Sequence, residues 1–117
     1  MLDWLRSKPA RSLFISVVTI GEIERGVELK RPRDPVFADA LAFWLEQLIR
    51  SYENRMLPVD ILIGRRWGKL TARLGHAGTD LLIAATALEH GLTVATRNVR
   101  HFAPTGVAIE NPFDTAV

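Results

Sequence analysis

The sequence contains no cysteine, so neither a disulfide framework nor a thiolate zinc site can exist in it, and this fits a reducing cytosol. Its three histidines, His76, His90 and His101, are too scattered to suggest a His-rich centre. No apolar run approaches the roughly 18 residues that a membrane-spanning helix needs. The opening MLDWLRSKPARS also lacks the long apolar stretch of a signal peptide. The chain is therefore expected to be soluble and cytoplasmic, with no membrane partner. No G-x-G-x-x-G follows a strand-like run, which removes the usual dinucleotide fingerprint, and no serine or cysteine nucleophile is placed with His76. The stretch GRRWGKL resembles a phosphate loop only loosely: three residues instead of four separate its glycines, and Leu70 stands where a metal-binding hydroxyl belongs. Internal repeats, low-complexity tracts and dividing linkers are absent.

What is present is 117 residues with 48% hydrophobic content, enough for one domain with a real core and too little for two, so 1–117 is read as a single domain. Net charge is only +2, but 12 of the 15 basic residues are arginine. That bias suits bidentate phosphate contacts. It equally fits a genomic codon preference, so charge permits a nucleic-acid partner without demanding one.

Periodicity predicts alternating helices and short apolar strands. Residues 12–18 (SLFISVV) form a β-branched run of strand length, after a helix end at 2–6 and a loop at 7–11. A helix over 19–29 follows, with Thr19 and Glu22 spaced as a capping box and Ile20, Ile23 and Val27 on one face. Asp34-Pro35 starts the longest helix, whose apolar stripe is Phe37, Leu41, Trp44, Leu45, Leu48 and Ile49. A short strand at 56–59 leads to Asp60, which caps a helix with the stripe Ile63, Trp67, Leu70 and Leu74. After a break at 75–78, Thr79 or Asp80 opens a very apolar helix that Gly91 stops, and strands at 92–96 and 107–110 complete the pattern. This is an α/β domain with a mainly parallel sheet, a design in which ligands collect beyond the carboxyl ends of the strands.

Three oxygen-bearing side chains fall at such junctions: Glu22, Asp80 and Asn98. Hard divalent ions such as Mg²⁺ or Mn²⁺ prefer oxygen ligands, and that points to phosphodiester chemistry. Each also has a plain structural alternative, Glu22 as the far end of a capping box, Asp80 as a helix cap and Asn98 as a turn residue. Glu24 and Glu28 lie on the same helix as Glu22 and are expected to face solvent.

The segments SLFISVVTIGEIERGVE, LPVDILIGRRWGKL, TDLLIAATALEHGLTVATRNVRHF and GVAIENPF, in that order over nearly the whole chain, resemble a VapC-type toxin of the PIN-domain family. The likeness is to the subgroup with TRN after the penultimate strand. It implies a PIN-like three-layer domain, its mainly parallel sheet flanked by helices. It further implies the toxin of a type II toxin–antitoxin module, a Mg²⁺- or Mn²⁺-dependent ribonuclease acting on RNA, often a homodimer and paired with a VapB-type antitoxin. Carried over residue by residue, Glu22 and Asp80 match the family's metal carboxylates, Asn98 the third catalytic position, and Arg97 an RNA phosphate contact that Arg100 would share. Relatives open with an apolar strand ending in aspartate. Here that first strand is missing, and Asp3 in MLDWL matches a helical position instead. The resemblance therefore also allows a rival, a catalytically inactive truncated PIN protein that binds an antitoxin or itself through apolar helices. A third reading is a non-catalytic RNA binder working through its arginines.

Overall fold

The computed structural model describes residues 13–112; the expected helix end at 2–6, the loop at 7–11 and Asp3 lie outside them. The chain divides into two compact units, one of Leu13–Pro58 and one that holds 59–112 among the described residues.

In the first unit, β1 (Ile15–Ser16) leads into α1 (Val17–Lys30), α2 (Pro35–Ser51), a single 3₁₀ turn and β2 (Met56–Leu57). The strands are parallel, Ile15 opposite Met56 and Ser16 opposite Leu57. Parallel partners need a crossover, here the α1–α2 hairpin. The strand is shorter than SLFISVV implies because Ser16 caps α1, its Oγ accepting the Val18 N–H at 3.1 Å. Such a cap stabilises a helix by about 1 kcal/mol. That offsets the helix-propensity cost of Val17 and Val18, a few tenths of a kcal/mol each. With the helix starting at Val17, the expected box between Thr19 and Glu22 has no cap to serve, and Glu22 falls in the second turn.

Asp34 caps α2 as its sequence implies: Oδ1 accepts the Phe37 N–H at 3.1 Å, with Pro35 at the first helical position. Arg31 in the intervening turn donates from Nη1 to Asp39 Oδ1 at 2.7 Å, a bond that raises its pKa and ties the turn to α2. The pair is exposed, so its contribution to stability is small. Leu45 and Ala38 are buried, whereas Phe37, Phe43, Trp44 and Val36 are exposed, so part of the expected apolar stripe of α2 faces outward.

The second unit runs α3 (Ile61–Leu74), α4 (Thr79–His90), β3 (Val94–Ala95), the short α5 (Val99–Phe102), a 3₁₀ turn and β4 (Ile109–Glu110). β3 and β4 are again parallel, Val94 opposite Ile109 and Ala95 opposite Glu110. Among the described residues the strands thus form two two-stranded parallel pairs, each strand only two residues long. Ile63 and Leu70 of α3 pack with Ala84, Ala85 and Ala87 of α4, and with Val94, Phe102 and Val107, into one cluster. The alanines matter because small side chains at a helix contact shorten the interaxial distance. Gly91 at φ 64° ends α4, where any other residue would be strained.

Asp60 starts α3, its Oδ1 accepting the Ile63 N–H at 2.9 Å. Asp60→Ala is expected to lower stability by about 1 kcal/mol, a fall of roughly 4 °C in the thermal midpoint followed by circular dichroism, whereas Asp60→Asn keeps the cap and the midpoint. Among the described residues no helix is long and apolar enough to cross a membrane.

Candidate active site around Asp80

Beyond β3 the chain turns through Thr96, Arg97 and Asn98. Thr96 Oγ1 accepts the Asn98 N–H at 3.0 Å, and the Asn98 carbonyl accepts the His101 N–H at 3.0 Å. Asn98 occupies the cap position of α5, yet its side chain makes no capping hydrogen bond. Its exposed amide is thus not used to start the helix. Arg97 and Arg100 flank it and are exposed.

Helix α4 is capped by Gly78 without any side-chain bond, which makes Asp80 the second helical residue and not the cap. Its negative charge in the first turn is favourable against the helix dipole. The carboxylate instead meets His101, Oδ2 lying 2.9 Å from Nδ1; Asp80 is 29% exposed and His101 63%. A carboxylate only accepts, so Nδ1 carries the proton and donates, and Nε2 points its remaining capacity elsewhere. His101 thereby joins the Asp80 carboxylate to the Asn98 turn.

His101 is the residue the sequence reading passed over. The available signal was its position three residues after Asn98, one helical turn on, but nothing in sequence pairs it with Asp80, 21 residues earlier. Glu22 lies in the first unit, on the exposed face of α1.

The donor at Asp80 is of the hard oxygen type that Mg²⁺ and Mn²⁺ favour. Among the described residues, however, no group of three or more His, Cys, Asp or Glu side chains is arranged to hold a metal ion. The donor type fits such an ion.

The sequence profile of the PIN domain matches residues 1–106, and the chain belongs to the PIN-domain family. Within that family its likeness is to the VapC-type PIN toxins. The plasmid stability protein StbB of Pseudomonas syringae pv. tomato is 33% identical over 122 residues, spanning 97% of this chain and 85% of that protein. The VapC ribonuclease Y4jK of Sinorhizobium fredii is 29% identical over 123 residues, spanning 99% and 86%. Among solved structures, the crystal structure of FitAcB from Neisseria gonorrhoeae superposes with a TM-score of 0.84 at 31% identity, over 97% of this chain and 84% of that one. The expected PIN-like α/β fold with parallel strands is thus present.

Proposed function

We propose that this chain, read as a single PIN-like domain, is the toxin of a type II toxin–antitoxin module and acts as a metal-dependent ribonuclease that hydrolyses RNA phosphodiester bonds. The observation that supports this most is the Asp80 carboxylate, left uncommitted to helix capping and tied through His101 to the Asn98 turn, in a chain of the PIN family. Glu22 joins Asp80 as a metal ligand on the family resemblance, with Asn98 acting through water. A bound Mg²⁺ or Mn²⁺ would supply the charge that polarises a phosphate and activates water for in-line attack. Arg97 and Arg100 contact phosphate oxygens and offset the charge that grows on them. His101 holds one oxygen of Asp80.

The partners in this reading are RNA, a VapB-type antitoxin and a second copy of the chain. The exposed Val36, Phe43 and Trp44 of α2 support protein contacts of that kind, because large apolar side chains grouped on one helix mark interaction surfaces. The purified chain is expected to cut a mixed RNA substrate with Mn²⁺ and to stop cutting in EDTA. A second reading, an inactive interaction module, is favoured by the absence of a three-ligand group among the described residues. A folded sample that leaves RNA intact under both conditions, and does not bind it, decides for it.

A further inference from the structure

Helix α3 carries Arg65, Arg66, Lys69 and Arg73 and no acidic residue. Arg65 and Lys69 are four residues apart and Arg66 and Lys69 three, so like charges share one face, an arrangement that is unfavourable in an isolated helix. Arg73 is drawn off to the carbonyls of Pro104 and Thr105, at 3.2 and 3.5 Å. The other three line a cleft of about 220 Å³ between α3 and α4, together with Leu62 and Glu89.

Glu89 offsets only one of those charges. It sits 3.3 Å from Arg66 Nε, but that buried Nε makes no hydrogen bond, so the pair is held by charge without directional bonding. Arg65 and Lys69 are exposed, and among the described residues neither forms an ion pair with a carboxylate. A concave site with an uncompensated double positive charge calls for an anion.

The geometry points to a phosphate-binding subsite here, one that takes a backbone phosphate of a single-stranded RNA away from the Asp80 centre. This deepens the ribonuclease reading, on which the choice of RNA rests. Phosphate is favoured over an acidic peptide because three of the five described lining side chains end in guanidinium or ammonium groups, the donors that recur in phosphate recognition. Glu89 lies nine residues along α4 from Asp80, roughly 14 Å at helical rise, so the subsite would grip the strand at a distance from the scissile bond. Such contacts give affinity without sequence preference.

The test is binding of a fluorescein-labelled RNA of mixed sequence in EDTA, where no metal-dependent cutting occurs, followed by anisotropy over a salt series. The variant Arg65→Gln/Lys69→Gln keeps the Arg66–Glu89 pair and alters only exposed positions. If each lost cation removes one phosphate contact, the slope of log affinity against log salt becomes shallower by about 1.4, and affinity near 0.1 M salt falls roughly ten- to thirtyfold. Arg65→Lys/Lys69→Arg should bind as the original chain does, and Glu89→Gln should bind more tightly. Unchanged slope and affinity in the glutamine variant, in a sample with unaltered circular dichroism, overturn the subsite. So does a loss confined to inorganic phosphate or to polyglutamate, with RNA binding intact. Failure of the ribonuclease reading looks different, with no Mn²⁺-dependent cutting while the glutamine variant still shows the shallower slope.

Discussion

Asp80→Asn is expected to cut Mn²⁺-dependent RNA cleavage by at least about a hundredfold, since disturbing even the outer partners of a metal ligand costs about 10–100-fold. The fold should survive, because Asp80 is neither the cap of α4 nor part of the buried cluster. What the substitution removes is a charge in the first helical turn, about 0.3–1 kcal/mol. It also weakens the bond to an exposed histidine, while the amide oxygen can still accept from Nδ1. Far-UV circular dichroism and the thermal midpoint should therefore stay close to those of the original chain while cleavage collapses. Cleavage that persists in a pure sample removes Asp80 from the chemistry.

The largest effect on stability is expected from Ile63→Ala. Ile63 is fully buried and lies in the cluster formed with Leu70, Ala84, Ala85, Val94, Phe102 and Val107. Truncating such a side chain costs about 2–5 kcal/mol, the transfer term plus the cavity left behind. The α4 residues buried in that cluster are Ala84, Ala85 and Ala87, too short to swing into the space, which puts the cost toward the upper end. A chain of this size has about 5–15 kcal/mol in total, so the thermal midpoint should fall by roughly 10–20 °C. Ile61, two residues earlier and 80% exposed, is the control. Ile61→Ala should stay within about 0.5 kcal/mol of the original chain. Similar losses at the two positions would mean that α3 does not present Ile63 to the core.

The features legible in the sequence are those carried by local chemistry. Asp34 followed by Pro35, Asp60 three residues before Ile63, and Gly91 after an apolar run each act within a turn of their own position, and each sits at a helix boundary. Helix α1 starts two residues before the expected position because Ser16 lies inside a β-branched run, where strand propensity and capping compete and the hydrogen bond to Val18 prevails. Helical period identified α2 but not what its stripe would meet, and Phe37 and Trp44 are exposed. At the candidate site, Asp80 and Asn98 stood out as oxygen donors at element junctions. The contact that links them could not be read, since the bond from His101 to Asp80 depends on where α5 returns after β3. The charges of α3 were visible as letters. Their concentration around one cleft, with Glu89 as the only acid among its described lining residues, required the packing of α3 on α4.

The proposal that Glu22 and Asp80 hold a divalent ion together, which rests on the family resemblance, is tested most directly by a calorimetric titration of Mn²⁺ into the purified chain beside Glu22→Gln and Asp80→Asn. The account predicts a saturable site in the original chain and a loss of at least about tenfold in affinity for each variant, with helix content preserved in both. Mn²⁺ binding that is unchanged in a folded Glu22→Gln variant would contradict it.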